Sequence, residues 1–293
     1  MALSITRLHP LFGAQVHGIN LATDLSPAVV AELSAVIAEH GIMVFRGQRL
    51  SNDEQVSVAC QFGEPEVSTQ VFRPGEALRV RPEIADVSNL DANGQPRGRE
   101  DRHRMFSLGN QLWHTDSSFR QKRGAFSLLH AHGVPPAEGG ETEFTDMRAV
   151  YDALPEVMRS RIAGMVAEHS LFHSRSLLGF SDFAAEERAA LPPSQHKMAQ
   201  VHAPSGRMTV YVASHASHIL GMPVPDGRML LRDLIEFATQ PHFVHRHTWQ
   251  LGDLVMWDNR CTLHRGRPYD ESKPRDLRRV TTSDAAMALE QVA

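Results

Sequence analysis

The 293-residue chain reads as mainly β with flanking helices, a sandwich or jelly roll. Three observations predict it. Many short segments carry strand-like apolar patterns, and glycine, proline, asparagine and aspartate punctuate them roughly every dozen residues. No G-x-G-x-x-G follows a strand, so a nucleotide-binding βαβ sheet has no support.

Residues 1 to 22 alternate polar and apolar positions around Gly13 and Gly18, which predicts short strands and a turn. Ser26-Pro27 then opens an apolar pattern of helical period that closes at His40-Gly41. GIMVFRG follows as a short buried strand, and Ser51 caps a second helix closed by Gly63. Residues 64 to 107 differ: Pro65, Pro74, Pro82 and Pro96 interrupt them, arginines crowd them, and only IADVSNL (84 to 90) resembles a strand. A long irregular stretch in a compact domain is the expected material of an active-site lid. Beyond it, FSLLHAHG, GETEFTDM, GRMTVYVAS and WQLGDLVMWDN read as strands, with helices at MRAVYDALPEVMRSRIAGM and GRMLLRDLIEFATQ. HSLFHSRSLLG, carrying His169, His173 and Arg175, reads as a second lid or an exposed polar loop.

With 42% hydrophobic and 22% charged residues the composition is that of an ordinary soluble protein. A formal charge of -4 and a pI near 6.5 argue against a general nucleic-acid partnership, which needs a basic face. Cys60 and Cys261 make neither a disulfide framework nor a zinc site. No secretory signal and no stretch of about 20 apolar residues stands out, so no membrane partner is expected. The expectation is a single cytoplasmic domain over 1–293.

The chemistry concentrates in NQLWHTDSSF (110–119). His114 and Asp116 lie two apart, and on an extended chain both side chains face the same way. His264 in WDNRCTLHRG is the candidate third ligand. Two histidines and a carboxylate on one side of an ion leave positions open, the arrangement of non-haem iron(II) oxygenases. Alone the motif is weak, since 17 histidines would yield about one H-x-D by chance. The distal histidine, a glycine-rich turn before Thr142 and the cluster of Arg275, Arg278 and Arg279 strengthen it. If 2-oxoglutarate chelates the ion through its keto acid, its far carboxylate needs a bidentate partner. Arg275 fits that geometry, with Thr142 donating a hydroxyl.

Other histidines compete. His130 with His132 and His245 with His247 form H-x-H pairs without a convincing third ligand, so structural hydrogen bonding is the expectation for both. His202 and His215 are candidates for the pocket wall. Trp113 and Trp257, flanking the motifs, are expected in the core, and the arginines at 159, 161, 228 and 232 on solvated helix faces.

The order HTD, GGETEF, WDNRCTLHRG, PRDLRR resembles the taurine dioxygenase family, which includes the 2,4-dichlorophenoxyacetate dioxygenases, over nearly the whole chain. FRGQRLSNDEQ, TEFTDMRAVYDALP, SHASHILGMPVPDGRMLL and GDLVMWDNRCTLHRGRPYD are most similar to its herbicide-cleaving branch. The resemblance implies a double-stranded β-helix with outer helices, Fe(II) on His114, Asp116 and His264, and 2-oxoglutarate and O2 as co-substrates. It implies Thr142 and Arg275 as 2-oxoglutarate contacts and Arg279 beside both the substrate anion and the chelating end of the keto acid. Asn110 and His215 are expected to touch substrate. The implied reaction hydroxylates the carbon next to an aryloxyalkanoate's ether oxygen, releasing a phenol and a 2-oxo acid. A homo-oligomer and a small anionic, aromatic substrate are also implied. RPGEALRVRPEI (73 to 84) lacks a lysine expected at the substrate carboxylate, leaving Arg73, Arg79 or Arg81 as substitutes. A sulfonate or alkyl-sulfate dioxygenase on the same metal site is the alternative reading, and a non-catalytic metal or anion binder a third.

Overall fold

The computed structural model describes residues 3–69, 78–134 and 139–285. The chain opens with β1 (Ser4–Arg7), β2 (Ala14–His17), α1 (Pro27–His40), β3 (Ile42–Phe45) and α2 (Asn52–Cys60). Next come β4 (Ile84–Asp86), α3 (Arg102–Ser107), β5 (Gly124–Gly133), β6 (Thr142–Asp146), α4 (Met147–Ala153) and α5 (Glu156–Ile162). They are followed by β7 (Val166–His169), α6 (Leu171–Ser176), α7 (Ala185–Ala190), β8 (Ser194–Lys197), β9 (Ala199–His202), β10 (Arg207–Val210) and β11 (Ala216–Ile219). The chain closes with α8 (Val224–Ala238), β12 (Val244–His247), β13 (Leu254–Asp258), β14 (Thr262–Gly266) and β15 (Asp276–Ser283).

Local chemistry sets the early boundaries. The Ser26 hydroxyl accepts from the Val29 amide, Pro27 starts α1 where no amide is needed, and Gly41 ends it at φ 73°. Ser51 and Glu54 cap α2 reciprocally; it ends at Gln61, ahead of Gly63. The single helical pattern from 147 is broken, because Pro155 cannot continue a helix and splits it into α4 and α5. IADVSNL forms a strand only over Ile84–Asp86; beyond it the Val87 and Asn89 backbone amides still donate to the Leu277 and Arg275 carbonyls, and the Asn89 side-chain amide donates to the Glu271 and Lys273 carbonyls.

The strands make a seven-stranded sheet, β1-β2-β3-β13-β5-β15-β4, and smaller sheets β12-β6-β14, β11-β7-β8 and β10-β9. All pairings are antiparallel except β2 with β3. The period of two sorts the large sheet's side chains. Ile42, Val44, Leu129, Val255 and Trp257 meet Phe144 of β6 in one core layer, joining the large sheet to β12-β6-β14. Met43, Phe45, Leu128 and Met256 point the other way, against Leu33 and Ile37 of α1 and Val58 of α2. A third cluster joins α4 and α8 to β14 through Val150, Leu230, Leu234 and Leu263. Among the described residues no helix is long and apolar enough to cross a membrane.

Candidate metal centre and the cavities beside it

The first ligand segment is not a strand. His114 makes one isolated bridge to His264, its amide donating to the His264 carbonyl at 2.9 Å and its carbonyl accepting from the His264 amide at 2.8 Å. Three residues later Ser117 turns to φ 57°, the one non-glycine residue of positive φ among those described, so the extended stretch is only long enough to point His114 and Asp116 together. β14 carries His264 and is held antiparallel to β6. The two backbone bonds thus fasten both histidines to one frame.

The three side chains converge and are buried. His114 Nε2 lies 3.8 Å from Asp116 Oδ1, and His264 Nε2 lies 3.7 Å from Asp116 Oδ2. One ligand atom from each lies within 4.8 Å of the others. His114 Nδ1 sits 2.7 Å from the Leu112 carbonyl, which only accepts, so Nδ1 carries the proton and Nε2 offers its lone pair inward. Ser127 Oγ donates to Asp116 Oδ2 at 2.7 Å, and Arg279 Nη1 sits 2.5 Å from Oδ1. Burial works against the Asp116 charge, but Arg279, His264 and His114 outweigh it and hold the carboxyl below its ordinary range. Burial pushes His114 down to about 4 and His264 well below its ordinary value. Two neutral imidazoles and one carboxylate are the protonation states that a divalent ion needs, and the donor set suits iron(II).

Two cavities meet at this centre, with His114, Asn110 and Arg279 in the walls of both. One ends at Thr142 and Arg275. Arg275 is buried, and among the described residues its guanidinium donates to the carbonyls of Val87 at 3.3 Å and Gly140 at 3.2 Å, with the Tyr269 ring 5.1 Å away. No carboxylate among the described residues pairs with it, and burial lowers its pKa. The glycine-rich turn makes room for it: a Cβ on Gly140, at φ 73°, would lie 3.4 Å from Arg275 Nε. Thr142 Oγ1 accepts from Trp249 Nε1 at 3.0 Å, which leaves its own proton to donate. The second cavity is bounded by Phe106, Phe119, Leu171, Arg175 and His215.

The candidate residues thus gather as the motifs led us to expect, with corrections around them. HSLFHSRSLLG is neither exposed nor a loop throughout: His169 is wholly buried at the end of β7, and Arg175 on α6 is buried in the second cavity's wall. His202 does not reach either cavity; its Nε2 pairs with Asp258 at 3.0 Å and its Nδ1 with Ser205 at 2.7 Å. Arg79 is occupied by Asp86 and Asp276, and Arg81 by Glu83 and Asp53, and neither lines the cavities. Arg73 lies outside the described residues. His130 pairs with His132 at 3.0 Å, and His247 with Asp253 at 3.2 Å, both structural. Sequence reasoning missed Glu66, whose carboxylate accepts from Ser117 Oγ at 2.6 Å beside the ligand turn. It also missed a buried His202, Asp258 and Cys261 cluster. Asp258 there already takes a bidentate contact from Arg260, the mark of a structural ion pair.

The family described as taurine catabolism dioxygenase TauD, TfdA family matches residues 4–281. The chain is 46% identical to the α-ketoglutarate-dependent 2,4-dichlorophenoxyacetate dioxygenase of Cupriavidus pinatubonensis, covering 98% of this chain and 100% of that one. It is 37% identical to the (S)-phenoxypropionate/α-ketoglutarate dioxygenase of Delftia acidovorans, covering 93% of this chain and 92% of that one. Among solved structures, AAD-2 in complex with Mn(II) and N-oxalylglycine superposes with a TM-score of 0.89 at 43% identity, covering 96% of this chain and 98% of that one. The chain belongs to the TauD, TfdA family, and is an enzyme of the 2-oxoglutarate (α-ketoglutarate)-dependent dioxygenases.

Proposed function

We propose that this enzyme hydroxylates the carbon next to the ether oxygen of aryloxyalkanoates, with His114, Asp116 and His264 holding iron(II). The observation that carries the reading is the meeting of two cavities at His114: one ends at a buried guanidinium that no carboxylate among the described residues pairs with, and the other sets Phe106, Phe119 and Leu171 among charged and polar side chains. A buried cation without a counter-ion is costly, and the far carboxylate of 2-oxoglutarate is the charge that relieves it. Arg275 binds that carboxylate and Thr142 donates its hydroxyl to it, fixing the co-substrate's length against the metal. Iron(II), when bound, supplies the place where 2-oxoglutarate and dioxygen are converted to succinate and carbon dioxide with transfer of one oxygen atom to substrate carbon.

The chain's remaining task is placement. Phe106, Phe119 and Leu171 take an aromatic ring out of water, and Asn110 and His215 form the wall between ring and metal centre. Arg279 and Ser127 hold the Asp116 carboxylate so that its orientation survives turnover. The product carbon bears both a hydroxyl and the aryloxy group, a hemiacetal that collapses to a phenol and a carbonyl. A phenoxyacetate gives glyoxylate, and a phenoxypropionate gives pyruvate.

The 2,4-dichlorophenoxyacetate and phenoxypropionate activities of the two relatives support this substrate class. We further propose one domain, its facing sheets forming a double-stranded β-helix, with 64–107 as the lid, of which 70–77 lie outside the described residues: Glu66 and Val67 line one cavity, Arg104 the other and Ser107 both. The test is product identity from the iron-loaded enzyme offered aryloxyalkanoates, taurine and alkyl sulfates. Succinate with a phenol is expected; succinate with sulfite from the sulfonate instead would overturn the substrate assignment.

A further inference from the structure

The metal ligand Asp116 is anchored through its neighbours in the chain. Before it, Thr115 Oγ1 donates to the Asn259 carbonyl at 2.6 Å, and the Asp116 amide donates to Asn259 Oδ1 at 3.1 Å. After it, the Ser118 carbonyl accepts from Ser194 Oγ at 2.6 Å. Between these anchors stands Ser117 at φ 57°. A residue with a side chain keeps that conformation only where its surroundings hold it.

The group that holds it belongs to the root of the lid. Ser117 Oγ donates to Glu66 Oε2 at 2.6 Å, and Arg120 Nε lies 3.3 Å from the same oxygen. The Arg120 amide closes the turn on the Ser117 carbonyl at 3.0 Å, and Arg120 Nη2 donates to the Val67 carbonyl at 2.7 Å. Both ends of the turn therefore donate to residues 66 and 67. The Glu66 side chain is only 8% exposed, so water competes little for its carboxylate.

A second route joins the same residues. The Glu66 amide donates to the Thr281 carbonyl at 2.8 Å. Ser127 gives its one proton to Asp116 Oδ2, so the 2.9 Å contact between Ser127 Oγ and Thr281 Oγ1 is donated by the threonine. Glu66, Ser117, Asp116, Ser127 and Thr281 thereby form a closed ring of contacts that contains the metal ligand. Glu66, Ser117 and Thr281 also line the substrate cavity.

We propose that Glu66 is a positioning residue for the metal ligand: it holds Ser117 in the turn that aims the Asp116 carboxylate, and so fastens the root of the lid to the metal centre. The inference rests on the centre formed by His114, Asp116 and His264 and on the proposed lid, and is independent of which substrate is taken.

The test titrates iron(II) anaerobically into the full chain with 2-oxoglutarate and follows the visible absorption of the complex. Glu66→Ala and Ser117→Ala should each weaken iron(II) by about 10-fold, and the double variant should be no weaker than either single one. Glu66→Gln, whose side-chain carbonyl still accepts from Ser117, should stay near the wild type. The 2-oxoglutarate constant of each iron-loaded variant should hold, because Arg275 and Thr142 lie in the other cavity. Unchanged iron binding in Glu66→Ala would overturn the proposal, as would additive losses in the double variant. A Glu66→Gln variant as weak as Glu66→Ala, or a matching loss of 2-oxoglutarate binding, would overturn it too, since a residue that only supports the fold behaves that way. Iron retained by His264→Ala would defeat the metal centre itself, and the proposal with it.

Discussion

The Arg275 cavity and the Arg175 cavity share His114 but are built from different material. The first has Leu129 of β5, Thr142 of β6, Trp257 of β13 and His264 of β14 in its wall, strands locked by backbone ladders, with Arg275 just before β15, and Arg104 of α3 and Tyr269 on a connecting segment beside them. The second is walled by Glu66, Ser117 and Phe119 on connecting segments and by Phe106 and Arg175 on the short helices α3 and α6. The half of the site proposed to take 2-oxoglutarate thus draws its Thr142, Trp257 and His264 wall from sheet, and the half proposed to meet substrate draws more on segments whose positions depend on one another. Sites on strands are held more tightly than sites on loops, so substitutions should act differently on the two sides.

The largest effect belongs to the shared centre. His264→Ala removes one of three ligands, and metal binding and succinate formation should both fall to background, with or without substrate; retained stoichiometric iron would break the assignment. Next, Arg275→Met should raise the apparent constant for 2-oxoglutarate by about 30-fold or more while metal affinity holds. The same change should raise the melting temperature of the metal-free protein, because it replaces a buried, unpaired cation with an apolar chain. A lowered melting temperature would show that the guanidinium has a structural role. Ser127→Ala, which frees Asp116 Oδ2, should weaken iron binding by about 10- to 100-fold and leave the 2-oxoglutarate constant of the loaded enzyme unchanged.

The smallest effect is on stability against pH. Burial pushes His132, His196 and His245 down to about 4. In the unfolded chain each binds its proton near the ordinary 6.5, so between 6.5 and 4 the unfolded state holds more protons. Their contribution is complete above pH 6.5 and is lost as pH falls toward 4. Glu66 acts in the opposite sense: burial raises it to about 7, so the folded state holds the extra proton and stability declines as pH rises through 7. Chemical denaturation of the metal-free protein should show a maximum between these limits, and Glu66→Gln should flatten its alkaline side.

Legibility in the sequence followed the same division. The metal ligands could be found because His114 and Asp116 lie two apart on one short stretch and Thr142, His264 and Arg275 each sit beside a distinctive strand or turn. The capped helices α1 and α2 were equally local. The burial of Arg175 could not be found that way: it depends on Gly109 and Phe106, more than sixty positions earlier, and by itself HSLFHSRSLLG reads as a second lid or an exposed polar loop. Arg79 misled for the same reason, since Asp276, which completes its pairing, belongs to β15 at the far end of the chain. His202 looked available until Asp258 was found across from it. Periodicity and caps report on neighbours in sequence, whereas ion pairs and cavity walls are set by neighbours in space.

The most direct test of the central claim is turnover of 2,4-dichlorophenoxyacetate under 18O2 by the iron-loaded enzyme with 2-oxoglutarate, followed by mass spectrometry of both products. Hydroxylation beside the ether oxygen predicts one labelled oxygen in each succinate, equal amounts of succinate and phenol, and no label in the phenol, whose oxygen was the substrate's own. Label in the phenol, or phenol without labelled succinate, would contradict the account.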